Sequence, residues 1–184
     1  MRRVLVVGIG SSHGDDQTGW LVIHQLKEWL SPDSNARSDR DATADVFERF
    51  GQRLELRQAQ APTDLLNWID GQEILHVVDA CEFPGTQEAR TFEFIPETRH
   101  TSEASWHNIL ETGRTLGGTH GFDILSVLDL TVHLGTQPER VRFWLVPGTA
   151  FEPSDDPSEV ARQASHETAR RIYEYLLSRD EVRL

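Results

Sequence analysis

Residues 4–30 constrain the fold of this chain more than any other stretch. Val4, Leu5, Val6 and Val7 form an unbroken β-branched and aliphatic run with no polar alternation, the pattern of a central parallel strand covered on both faces. Gly8 and Gly10 end the run. From Thr18 to Leu30 the residues Trp20, Ile23, His24, Leu26, Lys27 and Leu30 recur at spacings of three and four, which predicts a helix. Strand, glycine turn and helix make an α/β unit, and a strand buried on both faces needs neighbours and helical cover.

The remaining chain offers both. Residues 31–47 are polar and rich in Ser, Asp and Asn, a surface excursion and not a domain boundary. Leu54 to Gln60 alternates Leu54 and Leu56 with charged neighbours, as an edge strand does, and Pro62-Thr63-Asp64 opens a short helix carrying Leu65, Leu66, Trp68 and Ile69. Ile74 to Val78 is a second buried strand, ending at Asp79. Thr91 to Ile95 alternates Phe92 and Phe94 with polar residues, whereas 99–118 has little periodicity and is expected to be mainly loop. Ile124, Leu125, Leu128, Leu130 and Val132 outline an amphipathic helix that stops at Gly135, with Pro138 beyond. Val141 to Val146 is the last strand, and Pro157-Ser158-Glu159 starts a closing helix running to about Ser178. Strands alternating with helices predict an open, largely parallel sheet with helices on both faces, which binds ligands at the carboxyl ends of its strands.

At 184 residues, 38% hydrophobic and 26% charged, the chain suits one domain spanning 1–184 that folds without disulfide or metal. Cys81 is the only cysteine, so no internal disulfide exists, and a small buried hydrophobe is its default role. The net charge of −12, from 30 acidic and 18 basic residues, repels phosphate backbones and anionic membranes, so no nucleic-acid or membrane partner is expected. Met1-Arg2-Arg3 before an apolar run mimics a signal peptide, but glycines and Asp15-Asp16 interrupt it. No window approaches the roughly 20 apolar residues of a membrane-spanning helix. A cytoplasmic protein is expected.

Three positions carry chemistry: Asp15-Asp16 after the first strand, Asp79 after the strand at 74–78, and His120 just before the helix that precedes the last strand. All fall at the carboxyl edge of the predicted sheet. The segment GIGSSHGDDQTG, residues 8–19, is not a dinucleotide fingerprint, because His13 stands where the third glycine belongs. Taken singly, each acid has a bland role as helix or turn cap. His24, His76 and His133 fall in helix or strand patterns where packing is the default, while His13, His100, His107 and His166 occupy loop or surface positions. Taken together, two carboxylates and an imidazole suit a divalent metal site with open positions for water or substrate, able to polarise a peptide carbonyl and activate water.

Here the sequence resembles the hydrogenase maturation endopeptidase family. The opening VLVVGIGSSHGDDQTGW resembles that family's first strand, glycine turn and GDD signature; HVVDACEFPGTQEARTFEF, residues 76–94, resembles its strand, Asp and proline-glycine loop; GGTHGFDILSVLDLTVHLGTQPERVRFWLVPG, residues 117–148, resembles its histidine, helix and final strand. The closing PSEVARQASHETARRIYEYL fits its last helix. The resemblance implies a three-layer α/β/α sandwich around a mixed, mostly parallel five-stranded sheet. It implies that Asp16, Asp79 and His120 are the nickel-contacting, catalytic triad, with Asp15 a neighbour shaping the turn. It also implies the reaction: removal of a C-terminal peptide from a nickel-loaded hydrogenase large-subunit precursor, the nickel arriving with that substrate. A monomer is expected.

The chain departs from the family in its turn, where SSH between Gly10 and Gly14 replaces a longer, asparagine-containing segment and Gln17-Thr18 replaces a small glycine-containing step. His13 is therefore unusual: it reads as a surface residue, with a fourth donor near the site as the alternative. The longer loop before His120, with His100 and His107, is expected either to reshape the substrate cleft or to supply partner contacts. Two other functions fit parts of the pattern: a nickel-sensing chaperone that binds the precursor without cutting, and a phosphoacceptor receiver domain. The receiver lacks its late-strand lysine, since Lys27 is the only lysine.

Overall fold

The computed structural model describes residues 2–31, 45–49, 52–71, 73–82, 89–94, 124–152 and 156–178. Its first strand, β1, spans Arg2–Ile9, and helix α1 spans Thr18–Leu30, with a 3-10 turn at Gly14–Gln17 between them. Then follow β2 (Asp45–Arg49), β3 (Gln52–Ala59), a 3-10 helix (Pro62–Asn67), β4 (Glu73–Glu82), β5 (Arg90–Phe94), α2 (Ile124–Leu134), β6 (Arg140–Gly148) and α3 (Glu159–Leu177).

These strands form one sheet in the order β2-β3-β1-β4-β6-β5. The four inner strands run parallel, and β2 and β5 close the two edges antiparallel. The unpolarised run of β1 is explained by its two covered faces. Val4 and Val6 enter a core with Val22, Ile23 and Leu26 of α1 and Ala164, Ala169 and Ile172 of α3. Leu5, Val7 and Ile9 enter the opposite core with Leu65, Ile69, Val127 and Leu128. Helices α1 and α3 therefore form one outer layer, α2 and the 3-10 helix the other, and the α/β/α sandwich with a mixed, mostly parallel sheet is as expected.

The sheet has six strands where five were expected. The additional strand is β2, drawn from the end of the polar stretch 31–47, and it displaces Leu54–Gln60 from the edge to a position between β2 and β1. Strand β4 also outruns its expected end at Asp79: its pairing with β1 stops at Gly8↔Val78, but its pairing with β6 continues to Glu82↔Gly148. The segment 97–116, with His100 and His107, lies outside the described residues.

Buried charge is compensated on the α2 side of the sheet. Arg3 binds the Glu55 carboxylate through Nη2 at 3.0 Å and Nε at 3.2 Å, reaches Asp70 at 2.9 Å and lies 3.9 Å from Glu73. Arg57 also pairs with Glu55 and stacks over the Trp68 ring at 4.8 Å. On the other face, His76 is fully buried; Trp144 Nε1 donates to its Nδ1 at 3.1 Å, and Tyr175 leans on the ring. His24 and His133, by contrast, are exposed on their helices, where packing had been expected.

Candidate functional site

The sheet's parallel strands leave β1 in opposite directions, toward β3 on one side and β4 on the other. Such a divergence opens a crevice at the carboxyl ends of the strands. Asp16 and Asp79 stand at it. Strand β1 ends at Ile9, and the chain turns tightly: Gly10 N donates to Ala59 O at 3.1 Å, Ser11 N to Asp16 O at 3.3 Å, and Asp16 N to His13 O at 3.1 Å. A Cβ on Gly10 would sit 2.2 Å from Asp16 O, so only glycine lets the turn fold back this closely. Gly14 adopts a left-handed φ of 47°, and a Cβ there would meet Ala150 O at 2.5 Å.

Neither acid of the turn caps a helix. The residue preceding α1 is Gln17, and no side chain caps α1 or the 3-10 turn. Asp15 points instead into the connection between β6 and α3, where it is fully buried. Its Oδ2 accepts from Thr149 N at 2.6 Å, Ala150 N at 2.9 Å and Ser158 Oγ at 2.8 Å, and its Oδ1 accepts from Ser158 N at 2.6 Å. Burial by itself would raise its pKa, but the amides of Thr149, Ser158 and Ala150 and the Ser158 hydroxyl outweigh it and hold the carboxyl below its ordinary value. Asp15 is therefore an anchor ionised at neutral pH that ties the turn to the connection between β6 and α3.

Asp79 is the first β4 residue beyond the pairing with β1, and it is partly buried. Among the described residues its carboxylate accepts one hydrogen bond, from Ala80 N to Oδ1 at 2.9 Å. Burial, and then the negative charge of Asp16, push its pKa up to about 7, against the relief given by Ala80. The carboxylate of Asp16 is thus close enough to Asp79 to repel it. A titratable group perturbed by desolvation and a like charge at a strand end is of the kind that clusters at functional sites. A cation placed near two carboxylates offsets their mutual repulsion, and oxygen donors suit a hard divalent ion.

His120, the third expected member, lies outside the described residues, as do all residues from 95 to 123. Its helix, α2, begins four residues later at Ile124. Among the described residues no three His, Cys, Asp or Glu side chains are grouped to hold a metal. His13 is exposed on the turn, as its position suggested. Cys81, two residues beyond Asp79, is buried, and burial together with the Asp79 charge pushes its thiol up to about 12, so it is no nucleophile. Among the described residues no helix is long and apolar enough to cross a membrane.

No sequence-family model matches the chain, and no curated protein sequence matches it significantly. Solved structures do match. An endopeptidase from Escherichia coli superposes with a TM-score of 0.64 at 17% identity, covering 100% of this chain and 95% of its own. The hydrogenase maturating endopeptidase HybD from E. coli gives 0.62 at 15% identity, over 96% and 92% of the two chains. The [NiFe] hydrogenase maturation protease HycI from Thermococcus kodakarensis gives 0.59 at 20% identity, over 95% and 92%. The chain has the fold of the hydrogenase maturation endopeptidases. At these identities the likeness lies in the backbone. Since one fold hosts many chemistries, what this maturation-endopeptidase fold does here has to be argued from its site.

Proposed function

We propose that this protein is an endopeptidase that removes the C-terminal extension of a nickel-loaded hydrogenase large-subunit precursor. The observation that carries this reading is the Asp16–Asp79 pair, two mutually repelling carboxylates at the crevice between β1 and β4, with Asp79 raised to about 7. The fold it shares with named hydrogenase maturation proteases supports the substrate class.

On this reading Asp16, Asp79 and His120 are the nickel ligands and the catalytic set, and the nickel belongs to the substrate. A cation lodged between Asp16 and Asp79 relieves their repulsion and releases the proton Asp79 otherwise retains near neutrality. Substrate carrying the metal therefore gains binding energy that metal-free substrate cannot, which makes the pair a check on nickel insertion. Asp79 near its midpoint at neutral pH also suits proton transfer in amide hydrolysis. The chain's net charge of −12 leaves nucleic acid and anionic membranes as poor partners. A monomer suffices, since both described acids come from one chain.

The test is the intact mass of the precursor before and after incubation with the protein, with and without nickel in the precursor. Loss of a C-terminal peptide from the nickel-loaded form alone is expected. Efficient cutting of the metal-free form contradicts the recognition role, and an unchanged mass with a competent loaded precursor favours a non-cleaving nickel-sensing chaperone.

A further inference from the structure

Strand β4 lies between β1 and β6 in the sheet, yet the turn leaving β1 is fastened beyond the end of β6. Asp15 N donates to Ala150 O at 2.8 Å, and all four short hydrogen bonds to the Asp15 carboxylate come from Thr149, Ala150 and Ser158. The Gly14–Gln17 turn passes close to β4 on the way, with Cα atoms within 8 Å. It is an arch, springing from β1, passing β4 and landing on the connection between β6 and α3.

We propose that Asp15 is the positioning residue of this site: its carboxylate pins the arch to the β6–α3 connection and so holds Asp16 opposite Asp79 on β4. The inference rests on the peptidase reading for its consequence in catalysis, and on the hydrogen bonds alone for the pin itself. Two carboxylates left to themselves separate, and a 3-10 turn of four residues has little stiffness of its own. The pin supplies the missing constraint. Its far end is rigid, because Ser158 is also the N-cap of α3: the hydroxyl donates to Asp15 at 2.8 Å while its oxygen accepts from Ala161 N at 3.1 Å. Its fit leaves no slack, because a Cβ on Gly148 would lie 2.9 Å from the Asp15 Cβ. Asp15 itself is fully buried with both oxygens engaged, so it acts through Asp16 and does not touch substrate.

Asp15→Asn keeps the size of the side chain but turns an amide toward N–H groups that need an acceptor. In a folded variant, with circular dichroism unchanged at the assay temperature, kcat for precursor cleavage should fall about 100-fold, as for a displaced catalytic group, with KM within about twofold. Ser158→Ala, which removes one of the four bonds, should give a smaller loss in the same direction. Amide hydrogen exchange in Gly14–Gln17 should quicken about tenfold or more in Asp15→Asn, while β1 and β4 stay protected. A kcat within twofold of the native value, a loss that vanishes on cooling to where the variant is fully folded, or unchanged exchange in the turn overturns the proposal. If the native protein cleaves no competent precursor, the peptidase reading fails, and the exchange result alone decides the pin.

Discussion

Glu55 and Asp79 are acids placed in neighbouring parts of one sheet, and the protein treats them in opposite ways. The Glu55 side chain is 2% exposed and is met by Arg3 and Arg57, so its charge is compensated where it is buried. Asp79 has no such partner charge among the described residues: burial, and then the charge of Asp16, raise its pKa to about 7. Asp15, one residue from Asp16, is compensated too, by amides and a hydroxyl in place of arginine. A buried acid that has been given partners holds the fold together, whereas an acid raised by burial and a like charge is of the kind found at functional sites.

That contrast is broken first at the site. Asp79→Asn or His120→Gln should lower precursor processing by about 1000-fold or more, the scale expected for loss of a group acting in the transition state, while far-ultraviolet circular dichroism stays native. Either variant retaining full activity would remove its residue from the set. Glu55→Ala should do the reverse. Leaving Arg3 and Arg57 without their carboxylate should cost about 2–3 kcal/mol in denaturant unfolding, with kcat of the folded protein little changed; an unchanged unfolding midpoint would show that Glu55 is not structurally compensated.

A smaller effect sharpens the comparison through pH. Folded Asp79 keeps its proton to about pH 7, whereas the unfolded chain releases it near 3.8. Between those values the folded state binds more protons, so stability falls as pH rises and levels off above about 7. Asp15 acts with the opposite sign and at lower pH: its depressed pKa makes stability fall as pH drops through and below the ordinary 3.8, and it adds little above about pH 5. Thermal melts of the metal-free protein from pH 4 to 8 should therefore show a decline of about 1 kcal/mol or more that Asp79→Asn abolishes. Identical pH dependence in the two proteins would place Asp79 in an ordinary aqueous setting.

What could be read from the sequence follows the range of the forces involved. The α1 helix, Thr18–Leu30, and the start of α3 at Ser158 are set by local periodicity and capping, and both were legible to the residue. The end of β4 was not, because Asp79 looks like a terminator until β6 is seen pairing on to Glu82. The sixth strand hid in a polar stretch, since Asp45–Arg49 needs only one neighbour to form an edge. At the site, Asp16 and Asp79 stood out as acids at strand ends. The role of Asp15 depends on partners 134 to 143 positions away, and no local pattern announces contacts of that range. The same holds for Glu55, whose burial is explained by Arg3, 52 residues earlier.

The most direct test of the account is the intact mass of a nickel-loaded large-subunit precursor incubated in parallel with the native protein and with Asp16→Asn. The account predicts that the native protein releases a C-terminal peptide and that folded Asp16→Asn leaves the precursor whole. Equal cleavage by both would contradict the claim that the Asp16–Asp79 pair is the working centre of this fold.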